Sequence, residues 1–140
     1  MSKTYIGERK KDRVEVVVTM NVPYGMAPLN PRHDLYNHSP CGFEYGYGGS
    51  GPAQLALAIL ADHLADHPDE VAMVNRSYEL DSWIGEGPKA HERAALCLHQ
   101  AYKFAALGGL PREKPFCITT AQVSANVAEI CAARQEARAI

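Results

Sequence analysis

The alternation of apolar and polar residues predicts a β-hairpin at the start of the chain. Residues 4–7 and 14–19 are short runs rich in β-branched side chains, and the charged segment 9–13 separates them. β-Branched side chains favour extended backbone, and a polar interruption suits the turn between two paired strands. We therefore expect the first 20 residues to form two strands of a small sheet.

The strongest helical pattern runs from Ser50 to Ala65. Ser50 is a favourable N-cap, and Pro52 falls in the first turn, where its missing N–H costs nothing. Apolar residues occupy nearly every face of this segment, which is typical of a buried helix. We expect it at the centre of the fold, with Leu57 and Leu60 in the core.

Two further helices and one strand follow from the pattern of the second half. One helix is predicted over residues 88–106 and another over 121–137, where Thr119 and Gln122 have the spacing of a capping box. A short strand is predicted over residues 116–118. The expected fold class is α+β, with a small N-terminal sheet packed on about three helices.

Two segments are expected to be irregular. Residues 21–51 contain four prolines and six glycines, which no long helix or strand accommodates, and their aromatic side chains are expected to pack against the core. Residues 75–88 are predicted to form an irregular insertion. Both segments fit inside one domain that covers residues 1–140.

Composition and charge exclude several classes of protein. Hydrophobic residues make up 46% of the chain and charged residues 21%, as in ordinary globular domains. The formal net charge of −2 argues against a nucleic-acid partner, and the longest apolar stretch, residues 53–61, is far too short to span a bilayer. The four scattered cysteines favour reduced thiols. We expect a protein of the bacterial host cytosol that folds alone or as a small homo-oligomer.

A glycine-rich loop leading into the central helix is the most distinctive candidate site. Gly48, Gly49, Ser50 and Gly51 place backbone N–H groups at the positive end of the helix dipole, where an anion binds favourably. No lysine follows at the Walker position, so ATP hydrolysis is not expected. The alternative is that these glycines only allow a tight turn at the start of the helix.

Charged and imidazole side chains just upstream could complete such a site. Arg32 and His38 are the candidates for the counter-charge that a bound phosphate or carboxylate requires. The alternative is that this segment is held together by side chain to backbone hydrogen bonds. No metal site is expected, because His33 and His38 match no familiar spacing and His63 and His67 fall at the solvated end of a helix.

The sequence contains no complete catalytic constellation. Nucleophiles, bases and orienting groups occur singly, so we expect no enzyme and no cofactor. Tyr45, Tyr47 and Trp83 are instead candidates for partner binding, since tyrosine and tryptophan are enriched at interaction hot spots.

Residues 34–60 resemble the domain of unknown function 6166 family (DUF6166), which occurs in bacteria, archaea and phages. The resemblance is dense over the aromatic and glycine-rich segment and the first half of the central helix, from Asp34-Leu35-Tyr36-Asn37-His38 through Gly48-Gly49-Ser50-Gly51 to Leu60. It implies a family but no activity, because the family supplies no binding or catalytic residues to carry over.

Two classes of function remain open at this point. The first is a small non-enzymatic protein, encoded by a phage or mobile element, that captures an anionic, nucleotide-like ligand at the glycine-rich loop. The second is an anti-defence or anti-CRISPR type of inhibitor that binds a host protein complex through its aromatic loop.

Overall fold

The N-terminal hairpin belongs to a four-stranded antiparallel sheet. The computed structural model describes residues 2–20, 25–80 and 87–138. In these ranges the strands, in the spatial order β3-β2-β1-β4, are β1 (Lys3–Arg9), β2 (Val14–Met20), β3 (Gly25–Pro28) and β4 (Phe116–Thr119). Both strands of the predicted hairpin are confirmed, and β3 occupies part of the segment that was expected to be irregular.

Helices supply the rest of the hydrophobic core. The described residues form α1 (Ser50–Ala65), α2 (Pro68–Tyr78), α3 (Ala90–Tyr102), a π-helical turn (Lys103–Leu107) that continues α3, and α4 (Thr120–Arg138). Buried side chains from the sheet and from all four α-helices form one continuous cluster. The α+β class is confirmed, with four α-helices rather than about three.

Successive side chains of a strand point to opposite faces of a sheet. One of the two faces of this sheet is buried against α1. Tyr5 of β1 lies opposite Val18 of β2 and Ile118 of β4, and all three side chains are buried. The Tyr5 hydroxyl donates to Asp62 Oδ2 at 2.7 Å. Lys3 Nζ lies 2.8 Å from Asp66 Oδ2. These polar contacts dock the sheet on the C-terminal end of α1.

The central helix has the predicted limits and the predicted burial. Thirteen of its sixteen residues are buried, and Leu57 and Leu60 have no exposed surface. The prediction of Ser50 as N-cap is wrong by one residue. Gly49 has the extended backbone of a cap, with φ −102° and ψ −162°, and its carbonyl accepts the Ala53 N–H at 3.1 Å.

The predicted irregular segment begins later than expected, because α2 continues to Tyr78. Glu79 ends the helix in the left-handed conformation, with φ 57°. The last turn is held against α4: the Ser77 hydroxyl accepts from Gln135 Nε2 at 3.0 Å, and the Ser77 carbonyl accepts from Arg138 at 2.9 Å. Tertiary contacts thus stabilise a turn whose Asn75 and Ser77 residues favour a helix only weakly on their own.

The helix predicted over residues 88–106 begins two residues later, and its last turn is π-helical rather than α-helical. It begins at Ala90, after the Lys89 N–H donates to Glu92 Oε1 at 2.8 Å. The α-helix ends at Tyr102, and in the π-helical turn the Gly108 N–H donates to Lys103 O at 2.9 Å. Such turns are rare and occur frequently at functional sites.

The predicted C-terminal elements are confirmed. Phe116–Thr119 forms β4, and α4 follows at once. The expected capping box is present, since the Thr119 N–H donates to Gln122 Oε1 at 2.8 Å and the Gln122 N–H donates to Thr119 Oγ1 at 3.2 Å. No helix among the described residues has the length and apolar character needed to cross a membrane.

Candidate functional site

Close packing explains the glycines before α1. An added Cβ at Gly48 would lie 2.9 Å from the Phe104 ring, and one at Gly49 would lie 2.4 Å from the Tyr47 ring. A Cβ at Gly51 would lie 2.5 Å from the Glu44 Cβ. Since φ is not positive at any of these three residues, no left-handed turn requires glycine there. Space requires it at Gly51, where the Glu44 Cβ and backbone cannot rotate away, whereas the Phe104 and Tyr47 rings are exposed and can move.

The first turn of α1 leaves two backbone donors without a protein acceptor. Pro52 has no N–H, and the Ala53 N–H is used by Gly49 O. In the described parts of the chain, neither the Ser50 N–H nor the Gly51 N–H donates a hydrogen bond. Ser50 is exposed and Gly51 is buried. These donors lie at the end of the helix that carries about half a positive charge.

Lys103 adds a full positive charge close to this turn. Its side chain comes from the π-helical turn and is only 6% exposed. The ammonium group donates to Gly48 O at 3.2 Å and lies 4.3 Å from the centre of the Phe104 ring. Within residues 2–20, 25–80 and 87–138, no carboxylate forms an ion pair with it. A buried ammonium without a counter-ion is costly.

Two neutral histidines lie beside Lys103. His38 Nε2 is 2.9 Å from His99 Nε2. Because His99 Nδ1 lies 2.7 Å from Leu96 O and therefore carries a proton, His99 Nε2 accepts and His38 Nε2 donates. Burial lowers the pKa of His99. Burial and the Lys103 ammonium lower the pKa of His38.

Gln54 holds the loop that carries His38, a role that the sequence analysis missed. Its buried Oε1 accepts the N–H groups of His38 at 2.7 Å and Ser39 at 3.2 Å. Its Nε2 donates to the carbonyls of Pro31 at 2.6 Å and Tyr36 at 3.0 Å. The sequence did contain a signal for this role: Gln54 lies in the apolar first half of the helix, and a buried amide must find hydrogen-bond partners.

Arg32 does not belong to the site. Its guanidinium lies 3.0 Å from Asp34 and also pairs with Glu92 at the start of α3. That end of α3 lies away from Lys103, and the Arg32 side chain is only 17% exposed. The structure therefore does not bring Arg32 to the glycine-rich loop as the counter-charge that was predicted, and two carboxylates already neutralise it.

The predicted partner-binding residues have three different outcomes. Tyr45 is buried, its hydroxyl donates to Lys114 O at 2.7 Å, and its ring meets Phe116 edge-on. Tyr45 is therefore a core residue, which corrects the prediction. Tyr47 is 41% exposed and lies beside Gly49. Trp83 lies outside the described residues.

A second polar cluster lies at the opposite end of α1. His63 is 1% exposed, which overturns the expectation of a solvated helix end. Its Nε2 lies 2.8 Å from Glu70 Oε1, and Ser124 Oγ donates to Glu70 Oε2 at 2.7 Å. His67 stacks on His63 with 4.0 Å between ring centres. Burial lowers the pKa of His63, although the contact with Glu70 opposes this shift.

Comparison with known proteins identified one family. The model of the "Family of unknown function (DUF6166)" matches residues 5–79, from β1 to the end of α2. The matched region contains the glycine-rich loop and the His63 cluster, and it ends before α3 and Lys103. No curated protein and no solved structure matches the chain.

Proposed function

Since this chain belongs to the DUF6166 family, whose function is unknown, we propose that it is a small non-enzymatic protein that captures an anionic ligand. The binding site consists of the N–H groups of Gly49, Ser50 and Gly51 together with the Lys103 ammonium. His38 and His99 line the same region as neutral hydrogen-bonding groups.

The position of Lys103 carries this proposal. A buried ammonium and the positive end of a helix repel each other when they lie side by side, and neither has an anionic partner among the described residues. One bound anion would neutralise both and satisfy the unused donors of Ser50 and Gly51. The π-helical turn supports this reading, because it directs Lys103 toward Gly48.

The neighbouring aromatic side chains favour a nucleotide over a bare phosphate. Phe104 is 68% exposed directly after Lys103, and Tyr47 is 41% exposed on the other side of the loop. An exposed ring next to an anion site offers a stacking surface for a base, and such stacking contributes roughly 1–3 kcal/mol per base. Mononucleotides and cyclic dinucleotides are therefore the ligands of choice, as expected for a phage or mobile-element protein that removes a signalling nucleotide.

Binding without catalysis is favoured by the partners of the two histidines. His38 and His99 bond to each other, and His99 bonds to Leu96 O. In the described ranges neither ring contacts a serine, a cysteine or a carboxylate. A base next to a nucleophile, which hydrolysis of a phosphate ester or an acyl group would require, is thus not assembled here.

Calorimetry with a panel of nucleotides and cyclic dinucleotides tests the proposal. Lys103→Met keeps the length of the side chain and removes the charge. It should weaken binding by about 10- to 150-fold, since a hydrogen bond to a charged group is worth about 1.5–3 kcal/mol. Lys10→Met, at an exposed lysine paired with Glu8 in the hairpin, is the matched control and should bind like the wild type. Arg32→Ala should also leave the affinity unchanged.

The proposal fails if the wild type binds no member of the panel, or if Lys103→Met binds as tightly as Lys10→Met. Exposure of Tyr47 and Phe104 favours the second class of function, an inhibitor that docks on a host protein complex. In that case Tyr47→Ala and Phe104→Ala would abolish inhibition of the host complex, while Lys103→Met would leave it intact.

A further inference from the structure

The turn between α1 and α2 assembles a cluster that the proposed function does not use. His63 lies in the last turn of α1, His67 is the residue before α2, and Glu70 lies in the first turn of α2. Ser50 and His63 are about 20 Å apart along the helix at 1.5 Å per residue. The cluster is therefore independent of the site around Lys103.

The three side chains offer ligand atoms of the right type at short range. One nitrogen from each histidine and one carboxylate oxygen of Glu70 lie within 4.8 Å of one another. Imidazole nitrogen and carboxylate oxygen are the ligands found in His₂Glu zinc sites, where solvent occupies the fourth position.

Hydrogen bonds around the cluster leave the necessary lone pairs available. His67 Nδ1 lies 2.7 Å from His63 O, so this nitrogen carries the proton and Nε2 keeps its lone pair. Ser124 Oγ holds Glu70 Oε2 at 2.7 Å, and Glu70 Oε1 remains next to His63. Outer hydrogen bonds of this kind orient the ligands in known metal sites.

We propose that His63, His67 and Glu70 bind a divalent transition-metal ion with the ligand preference of Zn²⁺. The ion takes the place of the proton between His63 Nε2 and Glu70 Oε1. Two ligands of a tetrahedral zinc, each at about 2.0–2.1 Å, are about 3.3 Å apart, so the 2.8 Å contact widens by about 0.5 Å.

The surroundings of the cluster allow the ion to replace the proton between His63 and Glu70. Glu70 Oε1 holds the proton on His63 Nε2 in the absence of an ion, whereas His63 Nδ1 is buried and has no hydrogen-bond partner in the described part of the chain, so it is free to take up that proton. The proton moves from Nε2 to Nδ1 when the ion binds. The two stacked rings are inclined by only 14°, so their lone pairs do not converge on one point, and the His67 ring turns out of the stack when the ion binds. His67 is only partly buried, which leaves room for this turn and lets solvent reach the fourth position from its side.

A purely structural role accounts for only part of the geometry. The bonds among His63, Glu70 and Ser124 would tie α1, α2 and α4 together without any ion. His67 is the residue that separates the two explanations, because its ring is held through Nδ1 and by stacking on His63, whereas its Nε2 takes no part in that hydrogen-bonded chain. Metal binding requires the His67 nitrogen, whereas a structural network does not.

Titration of chelator-treated protein with Co²⁺, followed by competition with Zn²⁺, tests the site. The wild type should bind one Co²⁺ per chain with the visible absorption of a tetrahedral complex, and Zn²⁺ should displace it. His67→Gln should abolish this spectrum. Ser124→Ala should weaken the affinity by about 10- to 100-fold, because it removes an outer partner of a ligand. His33→Gln is the matched control, because His33 lies in the loop before α1, contacts Ser39 O and is not part of the cluster.

Two results would overturn the metal site: no stoichiometric Co²⁺ binding by the wild type, or binding by His67→Gln equal to that of His33→Gln. Melting curves in chelator establish that each variant is folded. Glu70→Gln is a second ligand variant, since its amide keeps hydrogen bonds to His63 and Ser124. The test is separate from nucleotide binding, because Lys103→Met should bind Co²⁺ like the wild type.

Discussion

Replacing Gly51 by alanine tests whether packing explains the glycine-rich loop. An added Cβ would lie 2.5 Å from the Glu44 Cβ and 3.2 Å from the Glu44 backbone nitrogen. Neither atom can rotate away, so the backbone around Glu44 has to shift. That shift also disturbs the ion pair between Glu44 and Arg9, whose oxygen and nitrogen atoms are 2.8 Å apart.

The size of the effect follows from two opposing contributions. Overpacking a tight site costs about 1–3 kcal/mol, whereas alanine favours a helix over glycine by up to about 1 kcal/mol. The free energy of unfolding of Gly51→Ala should therefore fall by about 0–2 kcal/mol. Gly109→Ala is the matched control, because an added Cβ there meets nothing within 4 Å. That variant should gain about 0.4–1 kcal/mol from the stiffer unfolded chain.

Urea unfolding followed by circular dichroism measures both variants under the same conditions. Their difference should be about 0.4–3 kcal/mol in favour of Gly109→Ala, because the fall expected for the first variant adds to the gain expected for the second. If Gly51→Ala is as stable as Gly109→Ala, the contact between Gly51 and Glu44 does not constrain the loop, and packing does not explain this glycine.

Two further predictions concern the core and the histidines. The free energy of unfolding of Leu60→Ala, measured in urea, should fall by about 2–5 kcal/mol, because Leu60 is fully buried. A fall no larger than that of Leu110→Ala, at a half-buried leucine, would contradict this. Burial lowers the pKa of His38, His63 and His99 below the ordinary value of 6.5, so the unfolded chain takes up protons first as the pH falls. In chelator, these groups should therefore leave the free energy of unfolding unchanged above pH 6.5 and should lower it below that pH. Urea unfolding between pH 7.5 and 5 measures this, and a free energy of unfolding that does not change with pH would refute it.

Elements with a strong local signal could be predicted from the sequence. The limits of α1 follow from continuous apolar residues after a glycine-rich stretch, and α4 begins at a capping box between Thr119 and Gln122. Both signals lie within a few neighbouring residues. The last turn of α2 could not be predicted, because it depends on contacts between Ser77 and residues of α4 about 60 positions away.

The residues around the candidate sites depended even more on distant partners. Lys103 meets Gly48 across 55 positions, and Arg32 meets Glu92 across 60. The sequence shows Arg32 upstream of the glycine-rich loop, but neither the ion pair of Arg32 with Glu92 nor the approach of Lys103 to the loop. For the His63 cluster a local signal existed: His63 and His67 are four residues apart, and Glu70 follows three residues later. Pro68 in the sequence is consistent with a helix end just before it, but it does not reveal that α2 folds back and buries His63.

The two proposed sites lie at opposite ends of α1, and the charges of their ligands match the helix dipole. The N-terminus of a helix favours an anion and the C-terminus favours a cation, each by about 0.3–1 kcal/mol at a surface. This contribution is too small to create affinity, since one hydrogen bond to a charged group is worth about 1.5–3 kcal/mol. The affinity at each end therefore comes mainly from charged and metal-binding side chains: Lys103 from the π-helical turn at one end, and His63 of α1 with His67 and Glu70 at the other. A variant at either end should change the binding of one ligand and leave the other unaffected, because the helix dipole supplies only a charge preference to each site.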